Sequence, residues 1–564
     1  MKTEYAIAGR WKKAPRWSLF CLWLLFGAAQ ADPRPPQAAV ASAHPLATEA
    51  GLSVLAQGGN AFDAAVAVSA ALAVVEPYGS GLGGGGFWLL HRASDGRQVM
   101  LDGRETAPLA ARRDMYLDAD GQVIAGLSVN GPLAAGIPGE PAALAHLAEH
   151  YGRLPLKQSL EPAIRLAKVG FAVDEFYRRM AGFRLDALRA SPAAANRFLH
   201  QNEVPEVGHT LRQPELAETL QRLAEQGRAG FYQGETARAL VRGVREAGGI
   251  WTLDDLKNYR VIEREPVRGA YRGMTVVSAS PPSSGGVVLL AMLNMLAHYD
   301  LNPMDEATRV HLLVEVMRRA YRDRAEYLGD PDFVSMPLER LLSPHYAAGL
   351  VRDLDLTRAT RWPLDRPLRP AGADTSHFSI LDREGNRVAA TLSINYPFGS
   401  GFVAPGTGVL LNDEMDDFSA RPGVPNLYGL VGGEANAIAP GKRMLSSMSP
   451  TFVESADGVA ILGTPGGSRI ITMLLHGVLA LAEGEDPIGW VSRPRFHHQY
   501  LPDRIQYEPG ALSDETARAL EAKGHELDAL DDRYGDMQAV YWDRKQGAVR
   551  AASDPRGIGA ALVR

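Results

Sequence analysis

A chain of 564 residues is too long for one small core and allows two or more structural units. Hydrophobic residues make up 46% and charged residues 22%, the balance of an ordinary soluble globular protein. The formal net charge of −6 is small for this length and gives no basic surplus, which argues against a nucleic-acid partner.

The chain opens on Lys2, Arg10, Lys12, Lys13 and Arg16, continues through the apolar run 19–26, and reaches Ala29-Gln30-Ala31 just before Asp32-Pro33. A basic start, a short apolar stretch and a small-x-small site predict a secretory signal peptide over residues 1–31. The run is too short to anchor in a bilayer. Export to the periplasm follows, and no later segment is long and apolar enough for a second span. Cys21, the single cysteine, lies in that run, so the mature protein is expected to have neither a thiol nor a disulfide.

Residues 44–76 read as helical. Gly58-Gly59 stops one helix, and Asn60 caps a second with Asp63 in its first turn, running to Val75 before Pro77. That second helix is apolar nearly all round and should be buried. The glycine-rich stretch 79–86 leads into a buried strand at 87–90. Residues 135–260 are mainly helical, with amphipathic stretches at 215–225 and 236–247. A strand at 271–280 and a helix at 287–296 flank the turn 281–286. Residues 353–374, rich in Arg, Pro and Asp with no apolar period, are predicted to be an exposed linker. Beyond it, 375–381 and 387–394 alternate as two strands of a hairpin centred on Glu384, which sets Ser393 opposite Thr375. The remainder mixes short strands, glycine turns and a few helices.

Several familiar motifs are absent. The 79–86 stretch has no Lys-Ser/Thr after it and follows a helix instead of opening one, so it is not a phosphate loop. His497 and His498 are adjacent, so on a strand they point to opposite faces, and no His-x-x-x-His or cysteine cluster suggests zinc. No metal or other cofactor is expected. There is no Gly-x-Ser-x-Gly elbow. The Asp374-Thr375 junction carries more chemistry. A threonine hydroxyl needs a base beside it, and a free α-amine on the same residue, with a pKa of roughly 7.7–8.0, is such a base. An internal threonine acquires that amine only if the chain is cut immediately before it.

The residues around this junction, Asp374-Thr375-Ser376-His377-Phe378-Ser379, resemble the γ-glutamyltransferase family. So do Leu411-Asn412-Asp413-Glu414-Met415-Asp416-Asp417-Phe418, Leu445-Ser446-Ser447-Met448-Ser449-Pro450-Thr451 and Thr464-Pro465-Gly466-Gly467-Ser468-Arg469. The similarity extends upstream to 81–87, Asp102-Gly103-Arg104-Glu105-Thr106-Ala107-Pro108, 281–286 and 327–332, and so covers nearly the whole mature chain in the family's order.

The resemblance implies an α/β N-terminal-nucleophile hydrolase, an αββα sandwich made as one chain. It cuts itself between Asp374 and Thr375 into a large subunit (32–374) and a small one (375–564) that stay together as a heterodimer. Thr375 would attack a γ-glutamyl amide, glutathione among them, and the acyl group would pass to water or to an amino-acid or peptide amine. Ser393 stands where the family has a threonine that hydrogen-bonds the nucleophile. Gly466 and Gly467 match its oxyanion hole. Arg104 matches the arginine for the α-carboxylate, with Ser446 and Ser447 as hydroxyl donors. Asn395, Glu414 and Asp417 match the positions that hold the α-ammonium. Residues 421–433, with Tyr428, resemble the lid loop over the pocket. Gly103, where some members have a bulky residue, and Ser376, in place of a common threonine, depart from the family in ways that could tune the acceptor or shift the balance between hydrolysis and transfer. Two other readings share features with this one: a glutaryl or cephalosporin acylase of the same superfamily, and a periplasmic binder of γ-glutamyl compounds without turnover.

Overall fold

The computed structural model describes residues 34–361 and 375–564. The expected signal peptide, most of the linker and Asp374 lie outside the described residues. The body Pro35–Arg564 is built on two sheets. One has seven strands in the order Ala560–Val563, Ala39–Ser42, Ser376–Leu381, Arg387–Ser393, Gly85–Arg92, Arg97–Gly103 and Ile262–Arg264. The other has six, in the order Ala548–Ser553, Gln538–Asp543, Gly458–Gly463, Thr451–Glu454, Met274–Ser278 and Val267–Tyr271.

Successive side chains on a strand point to opposite faces, and the seven-stranded sheet uses both. Val40, Trp88, Leu90, Phe378, Ile380 and Val388 join a core with the helices Pro45–Ala56, Ala61–Val75, Leu156–Val169 and Pro214–Gln226. Ala39, Ala41, Phe87, Leu89, Leu381 and Ala389 point the other way. They share a second core with the six-stranded sheet and the helices Gly285–Leu296, Glu306–Tyr327 and Ile470–Ala482. Helix, sheet, sheet, helix is the layer order, as expected for the αββα class.

The predicted helix starting after Asn60 is Ala61–Val75, and all fifteen of its residues are buried. Its start is fixed locally. Asn60 Oδ1 accepts from the Phe62 and Asp63 N–H groups, while Asp63 accepts from the Asn60 N–H, a reciprocal cap. The hairpin also forms in the predicted register. Its pairs run from Arg387↔Leu381 to Leu392↔Ser376, and one further step brings Ser393 opposite Thr375.

The glycines of 79–86 serve backbone contact. A Cβ on Gly83 would lie 1.9 Å from the Leu410 carbonyl oxygen, and one on Gly84 would lie 2.2 Å from that of Ser393. Only residues without a side chain let this loop press against the strand end that carries Ser393. Where it is described, over 353–361, the linker is largely exposed as expected, with anchors to the body near its end. Ala359 is buried with its N–H donating to the Lys523 carbonyl, and Thr360 donates through both its N–H and Oγ to Glu315. Distant partners hold this part of a segment that its composition marked as exposed.

Candidate active site

Thr375 precedes the first residue of the central strand Ser376–Leu381 and is 9% exposed. It borders two cavities. The first is lined by Arg104, Ser393, Asn395, Glu414, Asp417, Tyr428, Ser446, Ser447 and Gly467, so nine of the residues singled out in the sequence converge on Thr375. Strand ends and turns bring them there. Arg104 follows the strand Arg97–Gly103, Ser393 ends the strand Arg387–Ser393, and Glu414 and Asp417 share one short 3₁₀ turn.

The electrostatics are denser than the sequence indicated. Arg104 is 1% exposed, with its two terminal nitrogens 2.5 Å from Glu414 and 2.6 Å from Asp417. A third acid, Glu105, lies 3.5 Å away and is fully buried. Burial pushes the Glu414 carboxyl up to about 7, with the Arg104 guanidinium pulling the other way. Burial and the neighbouring Glu414 charge raise Glu105 well above the usual carboxylate range. Arg324, buried on the helix Glu306–Tyr327, donates to Ser284 and Ser447 and so fixes the Ser447 hydroxyl. Neither Glu105 nor Arg324 was singled out in the sequence; a run of alternating charges on a long helix does not reveal which arginine is buried.

Asn395 adopts φ +74°, a left-handed conformation that costs a non-glycine residue energy. Its N–H donates to Ser393 Oγ at 2.8 Å and its side chain to the Asp413 carbonyl at 3.1 Å. Residues 421–433 cover the cavity. The Tyr428 hydroxyl donates to the Asn395 carbonyl at 2.6 Å, Asn426 donates to Asp417 at 3.2 Å, and Leu427 N–H donates to Asp416. Gly466 and Gly467 have φ +138° and +55° and precede the helix Ile470–Ala482, whose N-terminal end faces the same region. Their N–H groups have no backbone acceptor among the described residues. Paired donors at a helix start suit a developing oxyanion.

The second cavity, about 540 Å³, lies against Thr375 from another direction. It is walled by Phe176, Met180, Phe183, Tyr396 and Pro397 on one side, with Glu76, Arg469 and 530–536 among its other lining groups.

His497, the last residue of the strand Phe496–His497, and His498, just beyond it, have separate partners, Thr472 with Gln499 for the first and Asp503 for the second. His311, Glu315 and His525 do approach one another. The two histidines hydrogen-bond at 2.7 Å, His311 also meets the Asp355 carbonyl, and Glu315 accepts from Arg318, Arg319 and Thr360. Two guanidiniums on that carboxylate make it a poor cation ligand.

Comparison with known proteins agrees in family and fold. The profile of the family described as Gamma-glutamyltranspeptidase matches residues 47–563. The "Glutathione hydrolase proenzyme" of Escherichia coli (strain K12) is 41% identical over 94% of this chain and 95% of that protein. The protein of the same name from Pseudomonas sp. (strain A14) is 45% identical over 90% and 89%. Among solved structures, a cephalosporin acylase from Bacillus halodurans superposes with a TM-score of 0.83 at 29% identity, covering 94% of this chain and 96% of that one. The gamma-glutamyltranspeptidase of Helicobacter pylori gives 0.54 at 39% identity, over 56% and 90%.

Proposed function

The chain belongs to the gamma-glutamyltranspeptidase family, and from that premise we propose how its site works. It is an autoprocessed enzyme that hydrolyses γ-glutamyl amides such as glutathione and passes the γ-glutamyl group to amines. Residues 1–31 are the leader, 32–374 the large subunit and 375–564 the small one, and the processed pair acts in the periplasm. Maturation begins when Thr375 Oγ attacks the Asp374 carbonyl carbon. The peptide becomes an ester, water hydrolyses it, and the α-amine of Thr375 is freed as a base.

In turnover the Thr375 hydroxyl gives its proton to that amine and attacks the γ-amide carbon. The Gly466 and Gly467 N–H groups receive the oxyanion, and the departing amine leaves an ester on Thr375. Ser393 hydrogen-bonds the nucleophile. The α-carboxylate pairs with Arg104 and the Ser446 and Ser447 hydroxyls, while the α-ammonium faces Asn395, Glu414 and Asp417. An α-amino acid carries both charges on one carbon. The groups that read them must therefore be neighbours, and Arg104 lies 2.6 Å from Asp417. The cavity between these groups is about 20 Å³, room for little more than one water. The donor therefore has to displace the Tyr428 segment, breaking its contacts to Asn395 and Asp417.

The observation that carries this reading is the convergence on Thr375 of one guanidinium, two carboxylates and Gly467, the second of a glycine pair at a helix start. Intact-mass measurement on purified protein tests it. The precursor should yield two chains with the smaller beginning at Thr375, and Thr375→Ala should remain one inactive chain. Two chains from Thr375→Ala in a protease-free preparation would refute the mechanism.

A further inference from the structure

Transfer, unlike hydrolysis, presents a particular difficulty: the acceptor arrives as an ammonium, and an ammonium has no lone pair with which to attack. We propose that the second cavity receives the acceptor amine and that Glu76 is the base that deprotonates it. This rests on the reading of Thr375 as the residue that carries the γ-glutamyl ester.

The geometry leads here by direction. Thr375 is common to both cavities, and the first is committed to the amino-acid end of the donor by Arg104, Glu414 and Asp417. The amine side of the scissile bond must then face the second. Glu76 follows the buried helix Ala61–Val75 as its cap, is 4% exposed and lines that second cavity. Its carboxylate is aimed and held. Ser376 Oγ, on the residue next to the nucleophile, donates to it at 2.7 Å, and the Tyr78 hydroxyl donates at 3.2 Å. The turn that follows presses on the same spot, since a Cβ on Gly79 would lie 2.8 Å from Ser376 Oγ.

Burial raises Glu76 to about 7, with the hydrogen bonds from Ser376 and Tyr78 opposing and the Asp174 charge adding to the rise. A carboxylate there is matched to accepting and returning a proton near neutrality. The charges facing it come from several elements. Asp174 caps the helix Glu175–Phe183, which also supplies Arg179 to the cavity. Asp536, itself raised mainly by burial, approaches from the C-terminal part of the chain. Arg469, Arg533 and Arg556 line the same cavity; Arg556 is already paired with Glu508 and Asp554, and Arg469 stands 4.7 Å over the Tyr534 ring. An ammonium in this cavity therefore meets the Glu76 and Asp536 acids, with Asp531 and Asp532 also in the lining and guanidiniums available for the acceptor's own carboxylate.

The step balances. The acceptor R–NH3+ gives one proton to the Glu76 carboxylate and becomes R–NH2. Its nitrogen lone pair forms the new C–N bond to the acyl carbon, the C–Oγ bond to Thr375 breaks, and the second amine proton returns to Thr375 Oγ. The products are the amide, the free threonine hydroxyl and a protonated Glu76 that releases its proton to solvent. By microscopic reversibility the same acid protonates the leaving amine during acylation.

The experiment is partition of the acyl-enzyme. A γ-glutamyl anilide is turned over with a dipeptide acceptor, whose amine titrates near ~8, and separately with a free amino acid, whose amine is more basic. The ratio of transfer to hydrolysis is then followed against pH. In the unaltered enzyme both acceptors should show the same rising limb near about 7, set by Glu76. A limb that moves with the acceptor's own amine overturns the proposal. Glu76→Gln should cut the ratio at least ~10-fold and abolish the limb, the loss expected for one acid–base group; an unchanged ratio in a matured Glu76→Gln enzyme also overturns it. If Glu76→Gln does not mature, the two-acceptor profile of the unaltered enzyme decides alone. An enzyme that never hydrolyses the anilide refutes instead the assignment of Thr375 chemistry on which the proposal stands.

Discussion

Arg104 holds two carboxylates at once and Arg324 also acts on Asp417, so a donor without an ammonium withholds from both acids the cation that the proposed site adds to these guanidiniums. Losing one partner of a hydrogen-bonded charge pair costs about 2–5 kcal/mol. A glutaryl anilide should therefore react at least ~30-fold more slowly in kcat/KM than the glutamyl one, at ~1.4 kcal/mol per tenfold. Asp417→Ala should narrow that gap by damaging the glutamyl donor more. Equal rates for the two donors in the unaltered enzyme would remove the ammonium from the scheme and favour the acylase reading. A second prediction concerns Glu140, the first residue of the helix Glu140–His150, raised from 4.5 to about 8 by burial, with the Gly81 N–H opposing. The folded protein keeps this proton while the unfolded chain releases it. Stability from this group is thus fully present below about 4.5 and lost as pH rises to about 8. Glu140→Gln should melt higher than the unaltered protein above about 8 and converge with it below about 4.5. Residues such as Glu140, Glu76, Glu105 and Arg324 were not legible in the sequence, because an isolated charge carries no local pattern and only burial singles it out. That Ser393 faces Thr375 was legible because a hairpin has a period and a turn that fix which side chains face each other, while the roles of the two residues came from the family resemblance.

The elements divide along the same line. The helix Ala61–Val75 and the hairpin Ser376–Leu381 with Arg387–Ser393 each have a repeat, a cap or a turn readable from neighbouring residues. The segment 421–433 has a local turn of its own, with the Gly429 N–H on the Asn426 carbonyl and a bridge between Pro425 and Val431, but its seat against the cavity is set by tertiary contacts from Tyr428 to Asn395, from Asn426 to Asp417 and from Gln499 to the Tyr428 carbonyl. The described end of the linker is largely exposed, as its composition indicates, and only its anchoring was hidden, since Glu315 and Lys523 lie far from Thr360 and Ala359 in sequence. The segment 421–433 is tied by contact to the glycine pair proposed as the oxyanion donors. A Cβ on Gly467 would lie 2.6 Å from the Tyr428 ring, at a φ of +55° that costs an L side chain roughly 1–2 kcal/mol. Gly467→Ala should therefore lower kcat/KM at least ~10-fold, below the usual cost of an oxyanion donor. Adding Tyr428→Ala should recover part of that loss. A Gly467→Ala enzyme with unaltered kinetics would show that this backbone does not meet the reacting carbonyl.

For the whole molecule, the proposed cut before Thr375 would cross the chain but not the fold. In the seven-stranded sheet the strand Ala39–Ser42 lies between Ala560–Val563 and Ser376–Leu381, and Arg387–Ser393 pairs with Gly85–Arg92. In the other sheet Thr451–Glu454 pairs with Met274–Ser278. The two products are interleaved in both sheets and share both cores, so they should co-elute on gel filtration, melt in one transition and separate only in denaturant. Separate elution of an intact large chain would contradict the interleaving. There is a further consequence for the order of the folding reaction. The precursor closes these sheets as a single chain, at the high effective concentration that a covalent tether provides. Once cut, the same strands must find each other as two solutes. Refolding of the matured protein should therefore be second order and slow with dilution, while Thr375→Ala, never cut, refolds at a rate independent of concentration. Maturation at the proposed site would thus act as a ratchet: a tethered chain assembles the sandwich, and the assembled sandwich then cuts the tether.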